Sequence, residues 1–265
     1  MLVKLLGYEL YKKWKMSRYI LGGFIVLQVI LLIVTSVFLG TDATKMITEI
    51  GNNGQNGSFT FGVITILYFV FAAGVFSFPF IETINRFEKD LSGKQAVLEL
   101  MIPIISWKKI LAKLIVAVVT TVVFQMIAAF SVLAYILVNS DFNKKILDSI
   151  VDIVQTLMAT PVKSLFATLS FLFFLASLYM LIMFCIAFSK SISHKNRIAV
   201  PIGIGMFIAC FALAIVAVIQ IGRFPIVEFG LFGIERSLSE MIFNLLAFIL
   251  PFLGASYLME KRIEN

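Results

Sequence analysis

The sequence predicts an all-α membrane protein with six transmembrane helices, an N-terminal interfacial helix, and both termini in the cytoplasm. Three observations carry this. Of the 265 residues, 60% are hydrophobic and 14% charged, a charged share about half that of an ordinary soluble domain. Mean hydropathy is +1.02, more apolar surface than a water-soluble chain of this size can hide. The apolar residues also fall into six runs, 20–39, 59–81, 110–138, 165–188, 198–221 and 238–258, each near or above the roughly 20 residues a helix needs to cross a bilayer. A soluble globular enzyme is excluded, and so is disorder, which needs low hydropathy. The runs lack the alternation of a membrane β-barrel.

Each element follows from its residues. Over 1–18, Val3, Leu6, Leu10 and Trp14 recur at helical spacing opposite Lys4, Glu9, Lys12, Lys13 and Lys15. A basic polar face with an aromatic anchor predicts a helix on the membrane surface. The basic segment is too long for a cleaved signal peptide, and no small-x-small site follows the first span. Residues 41–58 form a polar, Gly/Asn-rich outer loop, read as flexible, with a three-residue glycosylation-type match at Asn56-Gly57-Ser58. Residues 82–109 are the largest inner segment. In 139–164, Ile146, Leu147, Ile150, Val151, Val154, Leu157 and Met158 keep a period near 3.6 against Lys144, Lys145, Asp148 and Asp152. That predicts a short outer-surface helix stopped at Pro161. Residues 222–237 are apolar, broken by Pro225, Gly230 and Gly233, and too short to cross, which predicts a re-entrant or surface-lying segment.

Charge sets the orientation. Segments 1–19, 82–113, 189–197 and 259–265 hold 16 of the 22 Lys and Arg residues, so they are cytoplasmic by the positive-inside rule. The net charge of +7 is mostly this topology signal. There is no soluble basic domain to bind nucleic acid.

The spans lack deep ionisable residues, the usual mark of proton relays, ion sites and intramembrane catalysis. Glu82 and Lys113 stand at inner ends. The polar groups within the spans are neutral, among them Gln28, Thr65, Thr120, Gln125 and Asn244, and suit hydrogen bonds between helices. His194, the one histidine, lies on a basic inner loop, and Cys185 and Cys210 fall within spans as apolar thiols. No metal site or buried acid–base pair is predicted. No P-loop is present, since Glu88 stands where its first glycine would be and Gln95 where its hydroxyl would be. Ala199-xxx-Gly203 and Gly205-xxx-Ala209 permit close helix approach, inside the subunit or at a dimer interface.

The inner segment carries a family resemblance. It reads Glu82, then Ser92-Gly93, then Val97-Leu98-Glu99-Leu100-Met101, then Pro103, Ser106, Lys108-Lys109 and Lys113. This order resembles the small bacterial six-span permease subunits of ABC-2-type transporters, with Lys94-Gln95 after the glycine and an extra Ile before Ser106 as departures. The resemblance covers nearly the whole chain in layout, as one membrane domain over 1–265.

The resemblance implies a permease subunit of an ATP-driven exporter in a bacterial plasma membrane. It moves a hydrophobic or amphiphilic compound such as a peptide antibiotic or toxic peptide, or gives immunity to one. The chain itself is not an enzyme and holds no cofactor; ATP and Mg²⁺ belong to separate ABC ATPase subunits. These dock on the 82–109 coupling loop, where Glu82, Arg86, Phe87, Glu88, Leu91, Gly93, Leu98 and Glu99 are the expected interface, with Phe87 in a partner groove. A second permease chain, identical or different, completes the assembly in the lipid bilayer. The alternative is a membrane scaffold or sensor that binds partners without transporting.

Overall fold

The computed structural model describes residues 2–39, 55–91, 105–139, 148, 151–152, 155, 158–193, 196–221, 228–231 and 234–263. The architecture is almost entirely helical: α1 (Leu2–Leu39), α2 (Gln55–Leu91), α3 (Ser106–Asn139), α4 (Pro161–Ile192), α5 (Asn196–Ile221) and α6 (Leu238–Leu258), with a π-helical turn at Met259–Ile263. Six of the described segments are long and apolar enough to cross a membrane: Ser17–Val34, Val63–Leu91, Ser106–Val138, Pro161–Ile192, Ile198–Ala217 and Ile242–Lys261. The chain is a multi-pass membrane protein.

The helix expected over 1–18 is present, and it runs on into the first span as one element, α1. No proline interrupts the sequence between them. Its exposed side mixes charged and apolar residues, since Lys4, Lys15 and Arg18 are exposed. Val3, Leu10 and Trp14 are exposed, while Glu9, Lys13 and Ser17, at four-residue spacing, are buried.

Three other boundaries differ from the sequence reading. Residues 55–58 of the expected outer loop already belong to α2; the rest of that loop, 41–54, lies outside the described residues. α2 also runs three turns past its apolar run, to Leu91, so the first ten residues of the expected coupling loop are helix. α4 starts at Pro161, four residues before the expected span, and the non-helical Thr160 separates it from the helical Met158 and Ala159. Proline suits the first turn, where its missing N–H would have no partner anyway. Between 148 and 159, the described residues are helical and exposed; the rest of the expected surface helix lies outside them.

The segment expected to be re-entrant or surface-lying, 222–237, contains an antiparallel hairpin. Strand β1 (Glu228–Leu231) pairs with β2 (Ile234–Ser237), with Glu228 opposite Ser237 and Leu231 opposite Ile234. A hairpin joins backbone groups across its two strands, which a short irregular stretch near lipid cannot do.

The helices gather into two compact units. One comprises Met1–Glu9, Ile81–Val118 and Pro161–Asn265; the other comprises Leu10–Phe80 and Val119–Thr160. In the second unit Leu21 and Phe24 of α1, Val75 of α2, and Phe124 and Ala128 of α3 form an apolar cluster, with Phe78 and Ile127 packed against it. The Phe78 and Phe124 rings stack at 5.6 Å. Toward the N-terminal half of α2, Tyr68 and Tyr135 stack at 4.0 Å. The Tyr68 hydroxyl donates to the Ser131 carbonyl at 2.6 Å, and Thr65 Oγ1 and the Tyr135 hydroxyl share a 2.9 Å bond. Thr65 thus bonds between helices, as its place in a span suggested.

In the first unit α4 packs mainly on α6 and then on α5. Tyr179, Met180 and Met183 of α4 and Ala255 of α6 are buried there. Gly254 lets the two helices approach, since a Cβ at that position would lie 2.6 Å from the Phe184 ring. Two hydroxyls of α4 turn back on their own helix: Thr168 donates to the Ser164 carbonyl and Ser177 to the Phe173 carbonyl, both at 2.9 Å.

Candidate functional site

The residues expected to receive an ATPase start on the last three turns of α2, Ile81–Leu91. The pattern along these turns is amphipathic in an unusual sense. Ile81, Asn85 and Lys89, four residues apart, are exposed. Glu82, Thr83, Phe87, Asp90 and Leu91 are buried. The inward face therefore carries two carboxylates beside its apolar side chains, and buried charge has to be paired.

Ion pairs supply the compensation. Within α2, Arg86 Nη2 lies 3.0 Å from Glu82 Oε1, the i,i+4 geometry that neighbouring helical turns favour. Asp90 pairs with Lys113 of α3. Lys113 Nζ is also 3.4 Å from Glu9 Oε1 of α1. Glu88 Oε1 lies 3.3 Å from Lys190 Nζ near the end of α4. Segments of α1, α2, α3 and α4 within one unit are thereby joined.

This placement corrects one expectation and narrows another. Phe87, expected in a partner's groove, is only 2% exposed. Its ring fills the chain's own interior and is not available as an anchor. Leu91 and Glu82 are likewise buried. Of the expected interface, Arg86 and Glu88 remain partly accessible. Gly93, Leu98 and Glu99 lie outside the described residues, as do Lys94, Pro103 and His194. Lys89 and Asn85 present themselves on the outer face instead. Their spacing from Ile81 was readable, but nothing in composition alone says which face of an amphipathic turn looks outward in a membrane protein.

The two small-residue pairs on α5 separate. Ala199 is buried, and a Cβ at Gly203 would lie 3.3 Å from Ser189 Oγ and 3.7 Å from the Cys185 carbonyl, so this pair serves close approach of α5 to α4 within the subunit. Gly205 and Ala209 are exposed, with open space around Gly205. Cys185 is buried and Cys210 half-buried; both are free thiols. Among the described residues, no group of three or more His, Cys, Asp or Glu is placed to hold a metal ion.

What this arrangement can do is mechanical. Charges of both signs are paired across α1, α2, α3 and α4, while the exposed face of α2 offers Asn85 and Lys89 to solvent or a partner. No family model, curated protein or solved structure matches the chain.

Proposed function

We propose that this chain is the membrane-spanning permease subunit of an ATP-driven exporter of the ABC-2 type in a bacterial plasma membrane. It moves a hydrophobic or amphiphilic compound, such as a peptide antibiotic or toxic peptide, or gives immunity to one. The six spans hold charges only near their ends. A carrier driven by protons or sodium needs an ion site within the membrane, so uphill transport by such a chain draws its energy from another polypeptide. ATP and Mg²⁺ then bind to separate ATPase subunits, and a second permease chain, the same or different, completes the pathway.

The observation that carries the reading is the extension of α2. A force on its exposed face at Asn85 and Lys89 passes through the Glu88–Lys190 and Asp90–Lys113 pairs to α4 and α3. That is how closure of an ATPase pair reaches the spans. The coupling surface in this reading includes the exposed side of 81–89, and Phe87 supports it from within.

The test is purification of the full chain from its native membrane in mild detergent. An ATPase subunit should accompany it, with hydrolysis stimulated by hydrophobic peptides, and Lys89→Glu should weaken the association. If no ATPase accompanies the chain in any of several detergents, the export reading fails and the scaffold or sensor reading replaces it.

A further inference from the structure

A cavity of about 220 Å³ opens between α4, the first turns of α5 and the last turns of α2. Its walls are apolar, formed mainly by Ile84, Ile182, Ile186, Val200, Ile204 and Phe207. One end is different. There Glu88 and Lys190 face the cavity, with Oε1 and Nζ 3.3 Å apart. From Lys190 to Ile182 along α4 is eight residues, about 12 Å at the helical rise. The space is therefore a slot running from a polar end into the apolar depth. Ser189 borders it but donates its hydroxyl to the Ile186 carbonyl at 2.8 Å, which leaves that wall without a free donor.

Three properties select an occupant. Apolar cavities of about 150 Å³ already accept benzene and stay dry, so this one holds an apolar group, yet it is below the roughly 300–1,000 Å³ of sites for compact ligands. A narrow chain fits; a folded peptide does not. The mouth opens sideways, because Val200 and Ile204 line the slot and are 44% and 56% exposed on a membrane-crossing helix. The ligand therefore comes from the bilayer. The polar end bears one charge of each sign, which complements a headgroup that also carries both, phosphate toward Lys190 and ammonium toward Glu88.

We infer that this slot is a resident lipid site, holding an acyl chain of a zwitterionic glycerophospholipid of the phosphatidylethanolamine type with its headgroup at the Glu88–Lys190 pair. The site does not depend on the export reading. It also runs against the chain's net charge of +7, which by itself favours anionic lipid.

Native mass spectrometry of the full chain, exchanged in detergent with phosphatidylethanolamine, phosphatidylcholine and phosphatidylglycerol in turn, tests it. One phosphatidylethanolamine should be retained about tenfold better than phosphatidylglycerol, the discrimination that a charge-assisted hydrogen bond supplies. Ile204→Trp and, separately, Val200→Trp plug the mouth from exposed positions, and each should lower retention about tenfold while the helical circular-dichroism signal stays unchanged. The double variant Glu88→Gln/Lys190→Gln should keep a lipid but lose the preference between headgroups. Equal retention of the anionic lipid by the unmodified chain overturns the inference. So does undiminished retention in whichever of the two tryptophan variants folds, and so does a lipid-free dimer with a second copy covering the slot.

Discussion

Lys113 on α3 is ion-paired with Asp90 on α2, and both side chains are largely withdrawn from solvent. Removing one member of such a pair leaves its partner's charge buried, a change that typically costs about 3–5 kcal/mol. Lys113→Met is expected to destabilise the chain by that order, all the more because Glu9 loses the same ammonium. Lys113→Arg should recover most of the loss. Thermal unfolding in detergent, followed by circular dichroism, measures both.

Phe87 and Lys89 stand two residues apart and should behave oppositely. Phe87→Ala empties a buried site and is expected to cost about 3–5 kcal/mol of stability. Lys89→Glu changes an exposed side chain and should stay within about 0.5 kcal/mol. Comparing the two by unfolding separates residues that hold the end of α2 from residues that present it to a partner. Unchanged stability in Phe87→Ala would mean that the ring contributes nothing to holding the end of α2.

Gly254 and the Phe184 ring should be energetically coupled. Gly254→Ala places a methyl where the ring already lies, and overpacking of this kind costs about 1–3 kcal/mol. Phe184→Leu makes room. A double-mutant cycle is expected to show Gly254→Ala less harmful in the Phe184→Leu background, by an interaction energy of about 0.5 kcal/mol or more. Strict additivity would mean that α4 and α6 do not meet at this point.

Gln28 is 4% exposed, and neither atom of its side-chain amide has a hydrogen-bond partner among the described residues. A buried polar group left this way costs about 1–3 kcal/mol. Gln28→Leu is therefore expected to raise stability, read as a higher unfolding midpoint. A lower midpoint would show that the amide finds a partner in the membrane.

The spans were legible because length and hydropathy are properties of single segments. The ends were not, and for one physical reason. Past Phe80, α2 carries Glu82, Arg86, Glu88 and Asp90, and a run of charges reads as a solvated loop. Here the charges point inward and find partners on other helices, 23 residues away for Asp90 and 102 for Glu88. Only the Glu82–Arg86 pair lies at a spacing that sequence reveals. Pro161 marks both boundaries, since helical residues end just before it and the next helix starts on it. The slot beside Lys190 had no local signal at all. It arises where three segments distant in sequence meet.

The hydroxyls of α4 have one more consequence. Thr168 and Ser177 spend their hydrogens on carbonyls of their own helix, so at these two positions the surface that α4 turns toward lipid is, electrically, hydrocarbon. Rotation of that surface against acyl chains breaks no hydrogen bond and meets only van der Waals friction. What fixes the azimuth of α4 therefore comes from its packed face, with Phe184 against Gly254 and Ser189 against Gly203, and from Lys190 at its end.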